Sequence, residues 1–283
     1  MLMPATGLRA AEPGGVLPFS GELHSSTKVF PARLAAFASC ADRPRIFGTV
    51  EGRRYRIDLP AGTRCMVFVG EHEWEAMPLV VEDVNVTVPL PLLVYARQVP
   101  QPELARELLE LGRDDQALRG EHARPNDPDA LERLRVGDEA RQRRLAEIIA
   151  THGWPTLSMV GWEAANAAWL IAQHAPLARL KPWLALMQDA AARHEIAPYN
   201  LATSIDRVLV YESRKQVYGT QYRPSEHGPG EAYPSENMDR LEQRRLQTGL
   251  PCRSPRQLVT KSCKAHAAPD AFRRKLRICP LEG

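Results

Sequence analysis

Near residue 100 the hydrophobic pattern changes its period, and that switch limits the fold more than anything else in the chain. Before it, VFPARLAAFASC, RIFGTV, RRYRIDLP, TRCMVFVG and NVTVPLPLLVYA are short runs rich in β-branched and aromatic residues, separated by turn material such as ADRP, EG, PAG and EDVN. In GRRYRIDLPAG, Tyr55, Ile57 and Leu59 alternate with Arg54, Arg56 and Asp58, as a half-buried strand requires. After the switch, helix formers dominate. Leu104, Leu108 and Leu111 share one helical stripe behind Pro102, and Leu134, Leu145, Ile148 and Ile149 form another that Gly153 and Pro155 bring to a stop. GWEAANAAWLIAQH and LKPWLALMQDAAARHE read as further helices, and PYNLATSIDR as a short one opened by Pro198. RVLVY and QVYGTQY read as a hairpin joined by ESRK.

The expected class is therefore α+β. A flexible lead-in (1–20) precedes a small antiparallel β-sandwich (21–98), a mainly helical domain with a β-hairpin (100–250) and a tail (251–283). A chain of 283 residues is long enough for two cores. No apolar run approaches the roughly 20 residues of a membrane helix, and the first residues lack the basic-then-apolar order of a secretory signal, so no membrane partner and a cytoplasmic location are expected. The five cysteines are odd in number, scattered and without a CxxC pair, which points to reduced thiols, with Cys40 and Cys65 as small core residues. The net charge of +3 conceals a basic end: residues 240–283 hold 11 Lys and Arg against 3 Asp and Glu. With Phe272 as its one aromatic, that end reads as a solvated tail, and nucleic acid is not an expected partner.

The helix around AAWLIAQHA is apolar nearly all round and ends on Gln173 and His174. Buried without partners, such groups cost about 1 to 3 kcal/mol each, so they must meet dedicated hydrogen-bonding groups or a wet cavity. The plain alternative is that His174 closes the helix against its last carbonyls. Candidate partners stand elsewhere in this half. Asp115 and Arg119 lie four apart on one helix face, and Asp206 with Arg207 could orient an imidazole or clamp an anion. Strand alternation in QVYGTQ puts Tyr218 and Gln221 on opposite faces unless Gly219 hosts a bulge. The remaining histidines lack metal-ligand spacing, and there is no GxSxG, no phosphate-cradling loop and no nucleotide fingerprint. No metal and no cofactor are expected.

Two stretches resemble known families. EGRRYRIDLPAGTRCMVFV is similar to the central hairpin of carboxypeptidase-regulatory and transthyretin-like sandwich domains, which implies an accessory or binding role for some seventy residues. GWPTLSMVG, AAWLIAQHA, IDRVLV and QVYGTQ, in that order, resemble an uncharacterised bacterial domain family of unknown function sharing GWP, QHA and YGTQ motifs, over residues 103 to 250. Relative to that family, Pro176 stands where Asp is frequent and Arg141 where Asn is frequent, and the segment after Leu250 is appended.

The functional expectation is an enzyme with a polar pocket centred on His174 as general acid or base. Asp115 or Asp206 would orient the ring, Arg119 or Arg207 would bind an anionic group, and Gln173, Tyr218 and Gln221 would position a small-molecule or peptide substrate. No Ser or Cys nucleophile announces itself, which favours direct proton transfer or water activation. The alternative is a non-catalytic binding or adaptor module, with a protein partner docked on the sandwich.

Overall fold

The computed structural model describes residues 15–25, 33–40, 43–71, 74–81, 92–96, 98–122, 129–223 and 230–250. They divide into two units, one drawn from 1–24, 30–94 and 237–283 and the other from 25–29 and 95–236.

The first unit is built on strands β1 (Val16–His24), β2 (Ala35–Cys40), β3 (Ile46–Phe47), β4 (Thr49–Glu51), β5 (Arg54–Pro60), β6 (Cys65–Glu71), β7 (Trp74–Ala76), β8 (Leu79–Val81) and β9 (Leu92–Ala96). They are ordered β3-β2-β6-β7-β9-β1-β5-β4, with β8 branching from β6. β5 pairs antiparallel with β1 and β4, β2 with β3 and β6, and β6 with β7 and β8, while β1 and β9 run parallel at Leu23 and Leu92. The ribbon folds back on itself, so that β2 packs face to face on β4 and β5. Phe19, Leu23, Ala36, Ala38, Tyr55, Ile57, Leu59, Val67 and Val69 fill the space between. Each large side chain in that space contributes about 1.5 to 3 kcal/mol of transfer free energy. The alternation read in RRYRIDLP is real: Tyr55, Ile57 and Leu59 are buried while Arg54, Arg56 and Asp58 are exposed.

Two expectations need correction here. The first strand begins at Val16, inside the stretch read as a flexible lead-in, because it lies antiparallel to β5, with Leu17 across from Leu59 and Phe19 across from Ile57. Pro18 hides this strand from a sequence reading, yet it costs little where only β5 pairs with that part of β1. Cys40 and Cys65, expected to be free thiols, are joined by a disulfide. They are direct cross-strand partners in the β2–β6 register, on the buried face, a pairing that a separation of 25 residues does not reveal. The outer face of the same strands carries Phe47, Phe37 and Phe68 in one row. Phe37 stacks on Phe68 at 5.2 Å, Arg45 lies 4.6 Å over the Phe37 ring, and Phe47 keeps 69% exposure.

The second unit is helical: α1 (Pro102–His122), α2 (Ala130–His152), α3 (Leu157–Val160), α4 (Trp162–Gln173), α5 (Leu177–Ala192) and α6 (Pro198–Tyr211). A short 3-10 turn (Met238–Arg240) and α7 (Leu241–Gln247) follow and group with the first unit. α4 touches α1, α2, α3, α5 and α6, which explains why its sequence is apolar nearly all round. It runs in the same direction as α1. Gln101 donates to the Met159 carbonyl at one end, Gly112 meets Ala167 midway, and Asp115 meets His174 at the other end. The midway contact depends on glycine, since a Cβ at position 112 would lie 2.6 Å from Ala167 Cβ.

RVLVY, read as a hairpin strand, is instead the last part of α6. Leu201, Ser204 and Val208 continue a helical stripe that no Gly or Pro interrupts, and a five-residue apolar run cannot by itself distinguish strand from helix. QVYGTQY forms only isolated bridges, Gln216 with Ser235 and Tyr222 with Ala232. The basic tail after Leu250 lies outside the described residues.

Candidate functional site

α4 ends at Gln173, and His174 is its C-cap, with backbone angles of −91° and 0°. The ring does not turn back to the helix carbonyls. Its Nδ1 lies 3.0 Å from Oδ1 of Asp115 on α1. The Asp115 side chain keeps 1% of its exposure and the His174 side chain 20%, so the carboxylate is sealed and the imidazole reachable. Burial pushes the Asp115 carboxyl up, but hydrogen bonds and charge from His174 and Arg119 outweigh it and hold the group well below the usual carboxylate range. Being ionised, Asp115 can only accept, so the proton of a neutral imidazole sits on Nδ1 and leaves Nε2 as the basic nitrogen. Among the described residues Nε2 has no hydrogen-bond partner.

Around this pair the sequence spacing of α1 and α2 builds a balanced cluster of charge. Arg119, one turn beyond Asp115, donates from Nε to Oδ2 and from Nη2 to Oδ1, each at 3.2 Å. The same guanidinium reaches Asp138 on α2 at 2.8 Å and 3.0 Å. Arg141, one turn beyond Asp138, donates to it at 2.7 Å and stands 3.7 Å from Asp115, while its own Nε is buried without a hydrogen bond. Two arginines thus face two aspartates, as burial demands. Gln116 donates to the second Asp115 oxygen at 2.8 Å. From α2, Gln142 donates to the His174 carbonyl at 3.1 Å and accepts from Arg179 of α5 at 3.0 Å, and Arg179 also pairs with Glu139.

The other candidates form a second, separate arrangement. Gln173 is buried and donates to Ser204 Oγ on α6, which also accepts from Trp169 and donates to the Asn200 carbonyl. Asp206, fully buried, accepts from the backbone N–H groups of Val217, Tyr218 and Thr220 and from the Thr220 hydroxyl, at 2.7 to 2.9 Å for the shortest bond from each. Burial is the larger effect on its carboxyl and raises it, with those donors pulling back. Asp206 therefore organises the loop after α6, and the imidazole is held by Asp115. Gly219, at φ +66°, turns that loop so that Gln216 and Gln221 both point inward, the Gln221 N–H donating to the Gln216 side chain. Gln221 donates onward to Thr220 Oγ1 at 3.0 Å. Arg207, half-buried, contributes nothing to the His174 cluster, and Tyr218 enters through its backbone.

His174, Asp115 and Arg119 are thus brought together, while Asp206, Arg207, Gln173, Tyr218 and Gln221 surround α6. The sequence reading missed Asp138, Gln116 and Gln142. Their signal was the i, i+3 spacing of Asp138 and Arg141, overlooked because RVGDEARQRR reads as an ordinary solvated helix face. Among the described residues no group of three metal-ligating side chains converges, and no helix is long and apolar enough to cross a membrane.

Residues 102–255, more than half of the chain, match DUF6624, a family of unknown function. The chain belongs to the DUF6624 family. The DUF6624 match takes in the whole His174 cluster and the loop bound to Asp206. No curated protein and no solved structure matches the chain.

Proposed function

We propose that the helical unit is an enzyme in which His174 performs general acid–base chemistry on a small-molecule or peptide substrate. The observation that carries this reading is an imidazole fixed at Nδ1 by a sealed, ionised carboxylate while Nε2 remains reachable. In the reaction Nε2 takes a proton from water or from a substrate hydroxyl or amide and returns it to the departing group. Asp115 fixes the tautomer and stabilises the imidazolium that forms. Arg119, the more exposed of the two arginines, is the group placed to attract an anionic substituent.

The test uses p-nitrophenyl acetate, a small activated ester that reports basic imidazoles. Wild-type protein should hydrolyse it about 100-fold faster than His174→Ala at neutral pH, in the range expected of a positioned base. Equal rates for the two proteins would end the catalytic reading. The second reading, a non-catalytic ligand or adaptor module, draws support from the mutual neutralisation of Arg119, Arg141, Asp115 and Asp138, which leaves little charge unspent.

The sheet unit fits an accessory role. Its outer row of Phe37, Phe47 and Phe68, with Phe47 exposed and the other two half-buried, supports a protein partner there, because contiguous apolar surface on a sheet face is characteristic of docking sites. The Cys40–Cys65 bond also bears on location. It favours an oxidising compartment over the cytoplasm expected from the sequence, since such bonds are rare where thiols are kept reduced.

A further inference from the structure

Between α1 and α4 runs an open groove of about 300 Å³, lined among others by Leu109, Gln116, Glu163, Asn166, Ala167 and Leu170. That volume is at the small end of ligand sites, suited to a slender chain rather than a fused ring system. The contact of Gly112 with Ala167 makes its floor, and the two helices run in the same direction along it. Helical periodicity carries the groove to the cluster: one turn beyond Leu170 is His174, and one turn beyond Gln116 is Arg119. Gln116 is a wall of the groove and also donates to Asp115, so the groove and the dyad share a residue.

We propose that this groove seats the substrate of the reaction assigned to His174, and that the substrate is a peptide with a free amino end. The inference rests on that reading for the identity of the reacting centre, but the seat is testable without it. Three features select the ligand. The floor is apolar and narrow, which accepts small aliphatic side chains. The primary amides of Gln116 and Asn166 stand on opposite helices; Gln116 donates to Asp115 and keeps its oxygen as an acceptor, while Asn166 accepts from Asn200 and keeps its N–H groups as donors, so the pair offers one group of each kind to a peptide bond. Of the two charged residues that line the groove, Arg113 has Glu110 within 4.0 Å on its own helix, whereas Glu163, at the end away from His174, has no ion-pair partner among the described residues, which matches an ammonium group. From Glu163 to His174 is eleven residues of helix, ~16 Å at 1.5 Å per residue. An extended peptide rises about 3.3 Å per residue, so about five residues reach from the ammonium to the imidazole.

The experiment is a binding measurement by calorimetry, with two probes of identical sequence. One is an alanine-rich pentapeptide containing one leucine with a free amino terminus, and the other is the same peptide N-acetylated. The free peptide should bind wild-type protein at least tenfold more tightly than the acetylated one. Glu163→Gln, a surface change that leaves the helix intact, should abolish the difference. His174→Ala should keep the same ratio between the two peptides whatever it does to their common affinity, which separates recognition of the amino end from the chemistry. Absence of binding to wild type, equal affinity for the two peptides, or a difference that survives in Glu163→Gln would each overturn the proposal. None of those results bears on ester hydrolysis by His174, whose failure would remove the catalytic reading while leaving a measured peptide site in place.

Discussion

At the scale of single residues, the dyad is a contest between burial and pairing at Asp115, and pairing wins. Replacing Asp115 with Ala leaves two guanidinium groups facing one carboxylate. That should destabilise the fold by about 3 kcal/mol, the lower end for breaking a buried ion pair because Arg119 keeps some contact with water. Urea unfolding checks it. The pH dependence has a definite sign. A carboxyl whose folded pKa lies below its unfolded value of about 3.9 stabilises the fold above that value and loses the contribution as pH falls through and below it. The acid limb of a Tm–pH curve should therefore flatten in Asp115→Asn. Nitrogen NMR in alkaline solution gives a second check on the tautomer of His174: the proton on Nδ1 in wild type, and a mixture of tautomers in Asp115→Asn. His174, Asp115 and Arg119 were legible because i, i+4 spacing and the end of an apolar helix are local properties. Asp138 was not singled out, and Arg141 was noted only as a departure from the resembled family, since charged residues on a long helix read as solvent-facing until a partner helix covers them.

At the scale of elements, one carboxylate does for the loop after α6 what a neighbouring strand would have done. Asp206→Ala leaves the N–H groups of Val217, Tyr218 and Thr220 without acceptors and should cost about 3 kcal/mol or more. Faster amide exchange should then be confined to 216–221. Its pH sign is opposite to that of Asp115. With the folded pKa raised, its contribution is present below the ordinary carboxylate value and fades as pH rises through the folded one. The hairpin expected here is absent because RVLVY is helical and because the N–H groups of Val217, Tyr218, Thr220 and Gln221 go to side chains, which leaves Gln216 and Tyr222 with isolated bridges. The α1–α4 pair supplies a packing test. Alanine at Gly112 gains about 1 kcal/mol of helix propensity, whereas a Cβ 2.6 Å from Ala167 Cβ costs about 1 to 3 kcal/mol in displaced packing. Gly112→Ala should lose stability on balance, and adding Ala167→Gly should restore much of the packing loss, a coupling that a double-mutant cycle measures.

At the scale of the whole molecule, the period switch near residue 100 correctly announced strands followed by helices, because periodicity reports burial on one face. What it could not report was pairing across sequence distance. Strand β1 was hidden by Pro18, and the Cys40–Cys65 bond by an odd cysteine count. Thiol labelling of denatured protein should leave Cys40 and Cys65 unmodified until reductant is added. Reduction should lower the stability of the sheet unit by about 3.5 kcal/mol if closing a loop of 25 residues acts through the unfolded chain. Unfolding curves with and without reductant decide this. One feature of the helical unit governs traffic. A single amide, Gln142, ties α2 to the last residue beyond α4 and to the first turns of α5, with Arg179 and Glu139 bolting the far side. Those bonds brace the side of His174 that faces α2 and α5, so on the reading proposed for the imidazole a guest would come to it lengthwise beside α4.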